Sequence, residues 1–507
     1  MASKITSSGI SSLLGGIIFI SAITVHAEPA VRGPEQVQDW QKTGLAFLQT
    51  AAAQQTINKT AKNIILFVGD GMGLSTVTAA RILQGQQQGK PGEENQLAFE
   101  RFPYLALSKT YSWDQQTPDS APTMTAIVTG YKAREGMLSV NHLTARAECD
   151  AAKISANSLP TLLEQSAQAG KATGIVTTTR ITHATPAANY AHTAMRDWEA
   201  DSDLPPRCGV KDIARQLIEA SPAVRNSLKV VLGGGRAKFM RVDQLDPEYP
   251  NKRGARKDGR DLLAEWQALH QQGVYVTDNK GFKAADSARF DTLLGLFEPS
   301  HMQYEADRLA DKAGEPSLTE MTEKAIQRLQ RSPKGYFLQI EAGRIDHAHH
   351  AGNAKRALLD TIMLSDAVAR ARAMTSVEDT LIIVTADHSH TLTLAGYPHR
   401  GNPILGVVKD VPEQDGAPVS ESKDELGLNY TTLGYANGPG AQHPRHAITA
   451  ADSEDVEYQQ AALVPLKSET HGGEDVAIFA SGPQAHLFRG VMEQNWIYYV
   501  MRHAFGF

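Results

Sequence analysis

The chain has 507 residues, 41% hydrophobic and 21% charged, with a formal net charge of −6. That is too long for one small core and ordinary for a soluble globular protein, so a large α/β domain with insertions, or two domains, is expected. The mild acidity argues against a nucleic-acid-binding role.

The first residues read as an export signal rather than as part of the fold. "MASKITSSG" carries one Lys, "ISSLLGGIIFISAITV" is apolar but short and interrupted for a membrane span, and "VHA" offers small residues before a cut after Ala27. Residues 1–27 are therefore expected to be removed, leaving a periplasmic or secreted chain; an uncleaved anchor is the alternative. No later stretch reaches about 18 consecutive apolar residues, so no membrane span is expected in the mature chain. Cys149 and Cys208 are the only cysteines. In an exported protein an even pair suggests one disulfide, with two separate thiols as the alternative.

In chain order, residues 34–55 predict an amphipathic helix with Val37, Trp40, Leu45 and Leu48 roughly on one face. "NIILFVG" (Asn63–Gly69) is a short apolar run ending in glycine, the pattern of a strand buried on both faces. The pattern recurs at Ala172–Thr179, Leu228–Gly235, Gly335–Ile340, Asp379–Ala386 and Asp475–Ser481, and residues 317–331 and 354–374 have helical periodicity. This alternation predicts a three-layer α/β sandwich with a large, mostly parallel central sheet. Residues 396–458 are rich in Gly, Pro, Asn and Asp and read as an inserted subdomain, which leaves 28–395 and 459–507 as the core.

Open α/β sheets bind ligands beyond the carboxyl ends of their strands. Asp70 follows the first strand; Glu341, Asp346 and His350 follow "YFLQI"; Asp387 and His388 follow "DTLIIVTA"; His471 precedes the last strand. Asp346 and His350 are spaced to share a helix face and grip one ion, while Glu341 points elsewhere, to a second. Imidazole with carboxylate suits zinc, and all-oxygen donors suit magnesium. A salt-bridged or helix-capping cluster is the plain alternative for each residue alone. In "TPDSAPTMTAIVTG", Ser120 opens an apparent helix with Pro122 in its first turn. A serine there is usually an N-cap. Next to metal ligands, the same helix terminus would stabilise an alkoxide nucleophile.

With these residues in place, the chain closely resembles the alkaline phosphatases. The resemblance is carried by "DGMG", "PDSAPTMTAIVTG", "TTTRITHATPAANYAHT", "EAGRIDHAHH", "TADHSH" and "ETHGGEDVAIFASGPQAHL", and the wording is nearer to the animal forms than to the enteric bacterial form. It implies a phosphate-monoester hydrolase with Ser120 as nucleophile, a phosphoserine intermediate and Arg196 on the substrate phosphate. It implies one zinc on Asp346, His350 and His471, and a second on Asp70, Asp387 and His388 with Ser120. Magnesium would take Asp70, Thr185 and Glu341, with His183 beside it through water. It also implies the Cys149–Cys208 disulfide, a homodimer reached by the N-terminal helix, and a crown-like insertion at 396–458. A calcium site of the animal forms maps to Glu248, the Phe297 carbonyl, Glu298 and, with two extra residues before it, Glu315. A phosphodiesterase or sulfatase of the same superfamily is the competing enzyme reading. An exported metal- or phosphate-binding protein without catalysis is the non-enzymatic one.

Overall fold

The computed structural model describes residues 37–414 and 417–507; the expected export signal lies outside them. Eight strands come first: β1 (Asn63–Gly69), β2 (Tyr104–Lys109), β3 (Ala172–Arg180), β4 (Leu228–Gly234), β5 (Gly273–Val276), β6 (Thr292–Leu296), β7 (Tyr336–Ala342) and β8 (Thr380–Ala386). The chain then leaves the main sheet through β9 (Ser389–His390), β10 (Leu392–Leu394), β11 (Leu433–Gly438), β12 (Ala462–Pro465) and β13 (His471–Gly472). It returns with β14 (Val476–Ser481) and β15 (Gly490–Glu493). The central sheet has 10 strands in the order β15-β2-β14-β8-β1-β7-β3-β4-β6-β5.

The sheet is mostly parallel, as the alternating pattern predicts. β14 is the exception and runs antiparallel to both neighbours, β2 and β8. It enters from the end at which β8 left, with no crossover helix to reverse it, and so runs back alongside β8. β1, β7 and β8 are buried along their whole length. Alternate side chains feed two cores. Ile65 and Phe67 pack on the side of helices Leu318–Leu329 and Ala354–Met374. Ile64, Leu66 and Val68 pack on the side of helices Ser120–Thr129, Leu162–Gln168 and Trp496–Phe505.

β2, β5, β6 and β15 lie outside the predicted strands. β2 and β5 are only partly buried, and their apolar runs are short. Helix Val37–Ala52 falls within the predicted 34–55. Its large apolar side chains touch no core of the described residues: Trp40 is 60% exposed and Phe47 73%. β10, β11 and β12 form a separate three-stranded sheet, so the sheet in the 396–458 region draws strands from both flanks of that segment. Cys149 and Cys208 are disulfide-bonded. No helix of the described residues is long and apolar enough to cross a membrane.

Candidate active site and metal centre

Strand register decides which carboxylates meet. β1 pairs with β7 and β8 so that Val68 lies opposite Glu341, and Gly69 opposite both Ala342 and Ala386. Asp70 and Asp387 therefore leave neighbouring strands at one level, with Glu341 a step before the end of β7; all three are fully buried. Gly71 makes the turn after Asp70 with φ +68°, and a Cβ there would fall 2.3 Å from the His390 ring. Only glycine fits both demands. Its N–H donates to Asp387 Oδ1 at 3.1 Å.

Helix Arg344–His350 follows β7 and carries Asp346 and His350. β13 pairs with β9 and sets His471 opposite His390. His350 Nε2 and His471 Nε2 lie 3.1 Å apart and 3.4 and 3.3 Å from Asp346 Oδ1. His350 Nδ1 donates to the Glu469 carbonyl at 2.6 Å, and His471 Nδ1 to the Pro118 carbonyl at 2.7 Å. A neutral imidazole has one proton, so both Nε2 atoms present lone pairs to each other and to a carboxylate. That arrangement repels itself unless a cation lies between. Donors about 2.0–2.1 Å from a tetrahedral zinc sit about 3.3 Å from one another.

A second group repeats the logic. His388 Nε2 lies 3.1 Å from Ser120 Oγ, 3.2 Å from Asp70 Oδ1 and 3.4 Å from Asp387 Oδ2. Its Nδ1 faces the Ser389 carbonyl at 3.2 Å, and burial lowers its pKa to about 3. In the third group, Asp70 Oδ2, Glu341 Oε1, Thr185 Oγ1 and His183 Nδ1 are buried without a hydrogen-bond partner among the described residues. Asp70, His183 and Glu341 bring ligand atoms within 4.8 Å of one another. The other Glu341 oxygen accepts from Thr177 and Thr179. Burial lifts Glu341 to about 7, and burial followed by repulsion from Asp387 lifts Asp70 well above the carboxylate range. Carboxylates packed this way need cations, so the donor sets fit the two zinc ions and the magnesium.

Helix Ser120–Thr129 is capped by Asp119, whose carboxylate accepts from the Ala121 N–H at 3.4 Å. Ser120 is the first helical residue, not the cap, and its Oγ donates to Asp70 Oδ1 at 3.3 Å. Asp119 also accepts from Arg196 Nη1 at 3.0 Å, and Arg196 Nη2 donates to His183 Nε2 at 2.8 Å. Each terminal nitrogen of Arg196 keeps another N–H for a ligand. Burial and then Arg196 hold His183 neutral. Ser120, Arg196, His183, Thr185 and all the strand-end ligands thus converge on one site.

The family profile described as alkaline phosphatase matches residues 61–507. The chain belongs to the alkaline phosphatase family. It is 46% identical over 487 residues to the tissue-nonspecific alkaline phosphatase of Felis catus, covering 93% of this chain and 89% of that one. It is 45% identical over 484 residues to the alkaline phosphatase of Gadus morhua, covering 93% and 97%. A solved variant of TAB5 alkaline phosphatase with Mg bound in its M3 site shares the fold, with a TM-score of 0.60, 24% identity, and coverage of 89% and 99%.

In this alkaline phosphatase family member a fourth carboxylate group lies apart from the others. Glu248, Glu298 and Asp311 come together, with Glu248 Oε1 and Asp311 Oδ2 buried and unpartnered among the described residues. Burial raises Glu298 to about 7. The expected Glu315 is not in this group. Its Oε1 accepts the Gln303 N–H at 2.9 Å. Asp311, just after the short helix Arg308–Ala310, joins the group instead. The Phe297 carbonyl accepts from Arg236 Nη1 at 2.7 Å.

Sequence reasoning passed over His390 and Glu469. His390 Nε2 donates to Asp346 Oδ1 at 2.7 Å, and its Nδ1 to Glu469 Oε2 at 2.5 Å. Burial opposes its charge, but the hydrogen bonds to Asp346 and Glu469 win and raise it to about 9. With a carboxylate at each nitrogen it orients Asp346, and it lies in one group with Asp346, His350 and His471. The signal was its position two residues beyond His388, on the same face of an extended segment. His347 and His349 fall in none of the candidate metal groups of the described residues. His347 packs edge-on against His183 and His301, and His349 bridges Thr76 and Tyr435.

Proposed function

We propose that the chain hydrolyses phosphate monoesters through a phosphoserine on Ser120, with two zinc ions and one magnesium. The observation that carries this reading is Ser120 Oγ, freed from capping, beside a set of imidazole nitrogens whose lone pairs face one another. Zinc on Asp346, His350 and His471, and on Asp70, Asp387, His388 and Ser120, would supply Lewis-acid stabilisation to the attacking and leaving oxygens. Asp70, Thr185 and Glu341 would hold magnesium. The magnesium of the TAB5 variant supports that assignment by fold alone.

Ser120 sits at the positive end of its helix, which favours its deprotonated form. Its Oγ bonds to phosphorus as the ester P–O bond breaks, and the alcohol leaves with a proton. Arg196, steadied by Asp119, pairs with two phosphate oxygens. Water then attacks phosphorus, Ser120 Oγ regains its proton, and inorganic phosphate is released. Release of 4-nitrophenol from 4-nitrophenyl phosphate by the purified chain, with phosphate trapped on Ser120 at low pH, tests the reading. Phosphate trapped on another residue would overturn it.

The disulfide supports export, because an intracellular thiol pair would stay reduced. The uncovered apolar side chains of helix Val37–Ala52 support a homodimer that buries them; the mass of the particle in solution tests it. Glu248, Glu298 and Asp311 would hold calcium. Asp311→Asn should abolish calcium uptake there, and Glu315→Gln should leave it.

A further inference from the structure

We propose that a cavity at the end of the sheet opposite the catalytic residues binds a small polyphosphorylated anion. The cavity measures about 380 Å³ and is lined by Lys171, Lys229, Arg328 and Arg331, with Asn226 and Ser332 as uncharged donors. It lies where β3 and β4 begin: Lys171 immediately precedes β3, and Lys229 is the second residue of β4. The catalytic residues gather at the other ends of the strands. The 9 residues of β3 put roughly 25–30 Å between its two ends, so the cavity is a separate site.

The charges there do not balance. No acidic side chain lines the cavity. Asp291, in the adjoining hollow, is the one carboxylate paired with any of the four cations among the described residues. It serves two of them at once: Oδ2 accepts from Lys229 Nζ at 2.9 Å, and Oδ1 from Arg328 Nη2 at 2.9 Å. Lys171 has no anionic partner among the described residues. Its Nζ donates to the Lys62 and Lys334 carbonyls at 2.9 and 3.0 Å and lies 4.3 Å from the centre of the Phe505 ring. Arg331 Nη1 donates to the Ser287 carbonyl at 2.7 Å, which leaves its other N–H groups for a ligand. Burial, then repulsion from Lys62, brings Lys171 down to about 8, the behaviour of a half-buried cation without a counter-charge. One carboxylate against four cations leaves a surplus that a single phosphate group, with up to about two charges, does not neutralise; two or more such groups do. Lysine and arginine heads take phosphate oxygens through charge-assisted hydrogen bonds, and the contacts that already hold these heads reduce the ordering a ligand must impose.

The test titrates the metal-loaded chain with inositol hexakissulfate, a polyanion that offers Ser120 no phosphorus, in enough inorganic phosphate to fill the catalytic site. Wild type should bind one per chain, and trace acetylation of Lys171, read by mass spectrometry, should fall as the anion binds. Arg331→Gln, on an exposed side chain, should weaken binding roughly 10–150-fold, the effect of losing one hydrogen bond between charged groups, and leave turnover of 4-nitrophenyl phosphate unchanged. Asp291→Asn should tighten binding, because it releases Lys229 and Arg328 to the ligand; a general loss of stability cannot produce that gain. The labelling of wild type stands even if a variant fails to fold. Absence of binding, unchanged acetylation of Lys171, binding unmoved by Arg331→Gln, or binding weakened by Asp291→Asn would overturn the proposal. Binding seen only when inorganic phosphate is left out would place the anion in the catalytic site and overturn it equally.

Discussion

His350 Nε2 and His471 Nε2 face each other at 3.1 Å while the Nδ1 of each is held by a backbone carbonyl. Neither ring can turn its proton inward without losing a hydrogen bond of about 1 kcal/mol. The protein therefore fixes the tautomer that a metal needs before the metal arrives.

The first prediction follows directly. Exhaustive chelation should abolish activity and lower the thermal midpoint, because lone pairs and carboxylates are left facing one another. Zinc with magnesium should restore both. Full turnover by demonstrably metal-free protein would sink the mechanism.

Ser120 and Asp119 divide capping from chemistry, and their variants should behave oppositely. Ser120→Ala should keep its fold and metal content while turnover falls by orders of magnitude. Asp119→Ala should cost about 1 kcal/mol of stability through the lost cap and raise the inhibition constant of inorganic phosphate by loosening Arg196. Denaturation midpoints and phosphate inhibition, measured on both variants, separate the two roles. A fully active Ser120→Ala variant would refute the nucleophile assignment.

His390 should matter through Asp346. Its ring and both partners are buried, with Glu469 also receiving the Thr391 N–H at 2.7 Å. His390→Ala and Glu469→Gln should each weaken zinc binding by about 10–100-fold, the usual effect of removing a group that orients a metal ligand. Zinc titration of the stripped protein reads this without reference to turnover. Unchanged affinity in both variants would leave His390 a packing residue.

A pH effect should come from Asp360, which lies outside the metal site. Burial lifts it to about 7, against about 3.9 in an unfolded chain. Between those values the folded chain holds a proton that the unfolded chain has lost, so stability falls as pH rises through the window. Asp360→Asn removes that cost, with an upper bound of about 4 kcal/mol above pH 7. Asn can still accept the Glu305 N–H, which Asp360 receives at 3.1 Å. Denaturation midpoints at about pH 5.5 and about pH 8.5 should show the variant gaining on wild type at the higher pH. An equal difference at both would show that Asp360 is ionised in the folded chain.

The sequence by itself determined the elements that carry ligands. β1 and β8 are largely apolar because both faces are covered, and β7 is mostly apolar as far as Ile340, so Asp70, Glu341 and Asp387, which follow those apolar stretches, were legible. Asp346 and His350 were legible as a pair because helical spacing is local. Tertiary structure alone decided how these pieces meet. The register that levels Asp70 with Asp387 depends on pairing across 317 residues, from Asn63 to Thr380, and local pattern carries no record of it. The same holds for His390 between Asp346 and Glu469, and for Asp311 in the place expected of Glu315. It holds too for Asp119 taking the cap from Ser120, where two adjacent residues compete and only the backbone angles choose. Partly buried strands such as β2 and β5 escaped for a related reason: a strand that is not covered along its whole length carries only a short apolar run, and its neighbours as much as its own residues define it.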